Sequence, residues 1–344
     1  MTISANIALL GCSPRAQSQA GYQSTDRRWK IESCSDSDRA RGMKFRDRYS
    51  IPKYFEDHVE LLEQERPHLA VVDVPIARKV EVILQALKCG CHVLVVPPLA
   101  FETTQTEQVL AAARQAGRTV FVGNPLRNVP PALRARALVD NGELGEVALG
   151  KCRLLWHSRH HSQNAAAIMD PGILVLDVLL WLMGTVEPAA VTGNILPVQK
   201  PPRINNGLGA DQLYMTLYVR FKGGQVLIAE ASNETNLHSA TDAEQTLVGS
   251  TGTATFSLTE SGESNEVRLY LHDHMRAFRK ADTRPTPPAV GMLFRALASL
   301  DTDPASTETL ERYLAVHQIV SGAFQSHIEQ KEICISNDLD LVGR

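Results

Sequence analysis

Cysteine and a surplus of charge of one sign are both scarce in this chain, and each scarcity excludes a class of function. Six cysteines scattered through 344 residues are too dispersed for a disulfide framework and predict reduced thiols in a cytoplasmic protein. A net charge of −3 offers no basic footprint for nucleic acid and no attraction to an anionic membrane. No apolar run approaches the roughly 18 residues that span a bilayer. Met1-Thr-Ile-Ser-Ala5 leads directly into an expected strand, without the basic and apolar segments of a signal peptide. Cys89-Gly-Cys91-His92 has metal-binding residue types, but Cys89 falls at an expected helix end and Cys91 enters an expected buried strand. No metal site is therefore expected. The expectation is a soluble protein that binds a small molecule, with neither nucleic acid nor membrane as partner.

What is present is an ordinary globular composition, 44% apolar and 21% charged, in a chain longer than one core usually organises. Residues 1–123 alternate strand and helix. The predicted strands are Asn6–Gly11, Trp29–Cys34, His68–Val74, His92–Val96 and Thr119–Val122. The predicted helices are Arg39–Tyr49, Arg78–Lys88 and one opened by a capping box, Thr104-x-x-Glu107, that runs to about Gly117. Such alternation predicts a parallel sheet covered by helices. After Gly123 the pattern changes. A helix over Pro131–Asn141 and an extended run over Ala148–His157 precede a helix over Gly172–Met183. Alternating segments follow at Leu213–Phe221, Gln225–Ser232, Glu244–Val248, Thr253–Leu258 and Val267–Leu271, with a hairpin at Lys222-Gly-Gly224. Residues 201–207 read as loop, and a helix over Thr307–Gln325 and a strand over Glu332–Ser336 close the chain. The expected architecture is an α/β Rossmann domain over residues 1–123 and an α+β domain over 124–344 with a large open, mostly antiparallel sheet.

The first strand runs into Gly11-Cys-Ser13-Pro-Arg15-Ala16, which is similar to the Gly-x-Gly-x-x-Gly turn that cradles a dinucleotide. Gly11 suits the tight turn, and Ala16 is a tolerated third position. Ser13 is a poor second, because its side chain occupies space the diphosphate needs. The alternative is a strand–helix turn that binds nothing. At the end of the second strand, where an acid often bonds the adenosine ribose, stand Ser35 and Asp36. If Ser35 takes that place, with Arg39 and Arg41 near, a 2′-phosphate is accommodated. If Asp36 takes it, NAD is favoured. Both NAD and NADP stay open, as does a plain solvated loop.

Several segments in order along residues 5–260 together resemble the glucose–fructose oxidoreductase/inositol dehydrogenase (Gfo/Idh/MocA) family. They are Tyr49–Asp57, Val74-Pro75, His92-Val-Leu-Val-Val-Pro-Pro-Leu-Ala100, Gly123-Asn-Pro-Leu-Arg127, Asn141-Gly-Glu-Leu-Gly-Glu-Val147, Asp170-x-Gly172 with Asp177–Gly184, and Leu247–Thr253. The resemblance implies a nicotinamide cofactor held by Gly11, Ser13, Arg15, Ala16, Ser35, Asp36, Pro75 and Pro98. It implies a sugar, polyol or related carbonyl substrate met by Arg127, Asp170, Leu174 and Asp177. Departures accompany it. The family's Glu-Lys-Pro reads Val96-Pro97-Pro98, so its acid/base lysine is Pro97. Its later histidine is Leu174, and the polar residue after the Val-Pro turn is Lys79.

A hydride leaves carbon as a hydroxyl loses its proton, so some group must handle that proton. The stand-ins are His157, His160 and the neighbouring His161 at the end of a strand, Lys79 at the Rossmann edge, and Asp170. The blander accounts are an exposed polar loop for the histidines, a surface lysine for Lys79 and a helix N-cap for Asp170. Asp170 and Asp177 are seven apart, one helical face. Trp181 reads as core, Arg127 as either an anion ligand or the partner of a surface acid, and His272-Asp-His274 as alternating on a solvent-facing strand. Three functions follow. One is an NAD(P)-dependent oxidoreductase with a relocated acid/base. The second is a catalytically silent nucleotide- or sugar-binding sensor or partner subunit. The third is redox-neutral chemistry with tightly held cofactor. A dimer or tetramer through the open sheet is expected.

Overall fold

A computed structural model describes residues 5–21, 29–100, 102–156, 166–184, 187–198, 212–232, 241–258, 266–272, 274–278, 288–303 and 306–335. The chain divides into two compact units, Met1–Asn128 with Thr286–Leu314, and Val129–Pro285 with Ala315–Arg344.

The first unit holds a six-stranded parallel sheet in the order β3-β2-β1-β4-β5-β6. Its strands are β1 (Ala5–Leu10), β2 (Trp29–Ser35), β3 (Lys53–Phe55), β4 (Leu69–Val72), β5 (His92–Val95) and β6 (Val120–Val122). Between them run α1 (Pro14–Gly21), α2 (Arg39–Tyr49), α3 (His58–Glu65), α4 (Ile76–Lys88) and α5 (Thr103–Ala116). This is the doubly wound Rossmann arrangement, in which the strand order reverses between β1 and β4 and opens a crevice at the strands' carboxyl ends. All of β4 is buried, as a central strand covered on both faces requires. The core gathers Ile7, Leu9, Trp29, Phe45, Leu69, Val71, Leu94 and Phe121, with Leu293 and Ala296 from α8 (Pro288–Thr302). The Trp29 and Phe294 rings meet edge to face at 5.9 Å.

Helix α2 starts at Asp38, whose carboxylate accepts from Arg41 N at 3.1 Å. The expected capping box at the start of α5 is displaced by two residues. Glu102 is the N-cap and Gln105 its reciprocal partner, because the helix begins at Thr103 and puts Thr104 inside it. Strand β3 and helices α3 and α8 were not expected from the sequence. The three residues of β3 are too few to show alternation, and α8 follows a proline-rich stretch.

The second unit is built on a nine-stranded sheet ordered β14-β13-β12-β11-β7-β10-β9-β8-β15. Its strands are β7 (Val147–Trp156), β8 (Pro188–Val198), β9 (Gln212–Phe221), β10 (Val226–Ser232), β11 (Thr241–Gly249), β12 (Gly252–Phe256), β13 (Val267–Leu271), β14 (Met275–Phe278) and β15 (Ile333–Cys334). Every pairing is antiparallel except β7 with β10. Strands β8 and β14 escape the sequence reading. Alternation drives the rest: in β10, Leu227, Ala229 and Ala231 are buried, whereas Ile228 between them is exposed. Helices α6 (Pro130–Asp140), α7 (Ala166–Met183) and α9 (Glu308–Glu329) complete the fold. A Cβ on Gly193 of β8 would lie 2.4 Å from the Ala323 carbonyl oxygen of α9, so only glycine permits that approach.

Helix α7 begins at Ala166, earlier than the expected Gly172. Asp170 is thus within the helix, which overturns its reading as an N-cap. His272 and His274 lie in the turn between β13 and β14 rather than on a strand, where Leu271 N donates to the His274 carbonyl at 2.9 Å. Among the described residues no helix is long and apolar enough to cross a membrane.

Candidate functional site

The turn after β1 is forced by Gly11. Its φ is +102°, and a Cβ there would lie 2.2 Å from the Asp73 carbonyl oxygen at the end of β4. Gly11 N donates to Ser35 O at 2.9 Å, which ties the turn to the end of β2. Asp36, the first residue past β2 and 7% exposed, completes the tie by accepting from Cys12 N at 3.0 Å. Around these residues lies a cavity of about 550 Å³, bounded by Gly11–Ser13, Ser35–Ser37 and Asp73–Pro75, with Arg41, His58, Arg78 and Val82 among its walls. It sits at the carboxyl ends of β1, β2 and β4, the crevice in which doubly wound sheets hold ligands.

The Asp36 carboxylate is fully engaged. Oδ1 accepts from Asp38 N at 2.9 Å and Arg41 Nη2 at 2.5 Å. Oδ2 accepts from Cys12 N at 3.0 Å and Arg41 Nε at 2.8 Å. These four bonds occupy the lone-pair sites a carboxylate offers. Burial pushes its pKa up, but the Arg41 guanidinium and the two backbone donors outweigh burial together and hold it below the ordinary value. Tyr54 donates to the Asp36 carbonyl at 2.8 Å, so β3 braces the same loop.

Ser13 does not point idly into the turn. Its Oγ accepts from Ala16 N at 3.2 Å and donates to the Asp73 carboxylate. Asp73 went unnoticed in the sequence, although it is the lone charge in the apolar run His68–Val74 and that was its signal. His58 also lines the cavity, and burial first, with the Arg78 charge, lowers its pKa. Arg15 lies in α1, and its side chain is outside the described residues. Pro75 is the N-cap of α4.

A second cluster forms at the end of β5. Lys79 of α4 is 4% exposed, which removes the reading of it as a surface lysine. Its Nζ donates to the Val96 carbonyl at 2.6 Å and the Pro98 carbonyl at 2.8 Å. Those two carbonyls flank Pro97, which is buried and joined to Pro98 by a cis peptide bond. Leu99 N donates to Tyr313 Oη at 3.0 Å, fixing the next residue as well. An ammonium is therefore held beside Pro97. Arg127, in a 3-10 turn over Pro125–Asn128, is 7% exposed rather than a surface residue.

In the second unit, Asp177 is 5% exposed within α7 and Leu174 is half-buried one turn earlier. Asp170 lies seven residues before Asp177 on the same helix and the same face; its side chain is outside the described residues. So are all of His157, His160 and His161, the side chain of Trp156, and residues 201–207. Trp181 is half-buried beneath the Arg136 guanidinium, 5.4 Å from its ring centre. Among the described residues no group of three His, Cys, Asp or Glu could hold a metal.

Known proteins resemble the chain along most of its length. Over 204 residues it is 25% identical to a D-glucoside 3-dehydrogenase of Escherichia coli, an alignment covering 56% of this chain and 58% of that protein. The chain thus spans just over half the length of that relative. A solved oxidoreductase domain protein from Kribbella flavida superposes with a TM-score of 0.82 at 18% identity, covering 98% of this chain and all of that one, 100%. A levoglucosan dehydrogenase solved with NADH and levoglucosan superposes at 0.80 with 14% identity, covering 97% and 100%. The oxidoreductase family model described as an NAD-binding Rossmann fold matches residues 5–124. The family's C-terminal domain model matches residues 132–255. With both domains matched in order, the chain belongs to the Gfo/Idh/MocA family of NAD-binding oxidoreductases.

Proposed function

We propose that this chain is an NAD(P)-dependent oxidoreductase acting on a sugar, polyol or related small carbonyl compound, with its proton chemistry moved off the family's usual positions. The observation that carries the reading is the cavity at the switch point of the six-stranded sheet, closed by the Gly11 turn and the Asp36 loop. Gly11, Ser13, Arg15, Ala16, Ser35, Asp36, Pro75 and Pro98 are the residues assigned to the cofactor, which takes or gives the hydride when bound. The four bonds on Asp36 require Arg41 to turn outward before a ribose hydroxyl is accepted. Arg41, with its side chain 53% exposed, has room to do so and would then meet a 2′-phosphate. That geometry serves NADP, and NAD is served if Asp36 alone is released.

Pro97 and Leu174 cannot titrate, so proton transfer falls to other groups. Lys79 is the best placed, because its ammonium brackets residue 97 through two carbonyls. His157 and His160 are the second choice. Arg127, Asp170, Leu174 and Asp177 are assigned to substrate. The names of the relatives, a glucoside dehydrogenase and a levoglucosan dehydrogenase, favour a carbohydrate. A homo-oligomer through the open face of the nine-stranded sheet fits the exposure of Leu196, Tyr218, Ile228 and Tyr270 there, and light scattering decides it.

The test is a screen of sugars, polyols and glycosides for substrate-dependent change in nicotinamide absorbance, with NAD(H) and NADP(H) run separately. Turnover with any member supports the proposal. Cofactor binding without turnover on any substrate favours the second reading, a silent nucleotide- or sugar-binding sensor or partner subunit, for which Pro97 and Leu174 are the specific observations.

A further inference from the structure

The position of the motif's second glycine is filled by a hydroxyl that is itself bonded to a carboxylate. Ser13 Oγ accepts from Ala16 N at 3.2 Å, an N–H at the start of α1 that a phosphate oxygen would otherwise take. The same oxygen donates to Asp73, whose carboxylate lies on the cavity wall with Ser13. The cations of this wall are engaged elsewhere: Arg41 with Asp36 and Asp38, and Arg78 with Glu81 at 4.0 Å. Among the described side chains no cation pairs with Asp73. An anion therefore stands beside the path of an anionic diphosphate.

We propose that the Ser13–Asp73 pair is an affinity-setting device that weakens the hold on the cofactor's diphosphate while leaving its adenosine end untouched. The proposal rests on the dinucleotide reading of the cavity and deepens it. Repulsion by Asp73 and the loss of one backbone donor act on the diphosphate, whereas the Asp36 carboxylate, bonded to Cys12 N at 3.0 Å, is the group assigned to the adenosine ribose. The consequence is a cofactor that exchanges between turnovers as a co-substrate. This argues against redox-neutral chemistry, which needs the cofactor to stay bound between its oxidation and re-reduction.

The test compares adenosine, ADP-ribose and NADH by calorimetry on the whole chain and on Asp73→Asn and Ser13→Gly. Asp73→Asn keeps the shape of the side chain and removes its charge, and Ser13→Gly restores bare backbone and frees Ala16 N. Asp73→Asn is expected to tighten ADP-ribose and NADH about tenfold or more and Ser13→Gly by a smaller factor, with adenosine unchanged in both. Equal or weaker ADP-ribose binding in folded Asp73→Asn and Ser13→Gly overturns the proposal. If Asp73→Asn does not fold, Ser13→Gly decides by the same readout. Failure of all three proteins to bind ADP-ribose or NADH overturns the dinucleotide reading itself, and this proposal with it.

Discussion

Two regions of the first unit use their charged side chains in opposite ways. At the ends of β1 and β2 the residue types expected of a dinucleotide site are present in Gly11 and Asp36, but their hydrogen bonds are turned inward. Asp36 serves Arg41, Cys12 and Asp38. At the end of β5 the uncharged Pro97 stands between two carbonyls that both accept from Lys79 of α4. In one region a carboxylate is engaged by its own loop; in the other a charge reaches an uncharged segment from a neighbouring helix. Residue identity alone shows neither arrangement.

The sharpest break of that comparison is at Lys79. Lys79→Met should cut turnover about 10²–10⁴-fold, the usual contribution of a positioned acid or base, with cofactor affinity unchanged. It should also destabilise the fold by about 1–3 kcal/mol by leaving two carbonyls without their donor. If turnover survives and only the melting temperature falls, Lys79 is a brace for the Val96–Pro98 segment. Gly11→Ala tests the other region. A side chain at positive φ costs about 1–3 kcal/mol before its clash with Asp73 O is counted. A clear drop in urea midpoint together with lost NADH binding is expected, and neither change would mean that the turn is dispensable.

Smaller effects follow from titration. Asp36 has a folded pKa below its ordinary value of 3.8, so its contribution is complete above that value and is lost as pH falls through the folded one. Asp36→Asn should lower stability near neutral pH by about 1–3 kcal/mol and remove part of the acid-side decline, read as urea midpoint against pH. His92, on β5, provides a second case in the same sheet, with the same sign at a higher pH. Burial, then the Arg118 and His68 charges, push its pKa from 6.5 to about 4, and Thr119 N donates to its Nδ1 at 3.1 Å. Below pH 6.5 the unfolded chain takes up a proton that the folded chain refuses. Stability should fall from there to about pH 4 and then level off. His92→Gln should flatten that segment, and an unchanged slope would assign it to other groups.

Much of the fold was legible because periodicity carries it. In the first sheet β1, β4, β5 and β6 read from short apolar runs and β2 as an extended segment despite Lys30 and Glu32, and β9 to β13 read from alternation. Strand β8 did not, because its Pro188, Gly193 and Pro197 interrupt the pattern and its pairing with β9 supplies the order. Helix α8 did not, since nothing in its own residues says that it covers β1 and β2, far back along the chain. Of the site, Gly11 and Asp36 were visible as residue types, but the saturation of Asp36 was not. It depends on Arg41 returning over one helical turn to the same carboxylate. The Ser13–Asp73 bond spans sixty positions of sequence, and only the β1–β4 pairing brings the two together. Lys79 read either as a stand-in acid/base at the Rossmann edge or as a surface lysine beside the polar Arg78 and Glu81, and its bonds to the Val96 and Pro98 carbonyls, which accompany its burial, were in neither reading.

The central claim is that the cavity between the Gly11 turn and the Asp36 loop holds a nicotinamide dinucleotide. Titration of NADH and NADPH, each alone, into the purified chain by calorimetry tests it most directly. The account predicts saturable binding of at least one, at one site per chain. Absence of binding by both would contradict it.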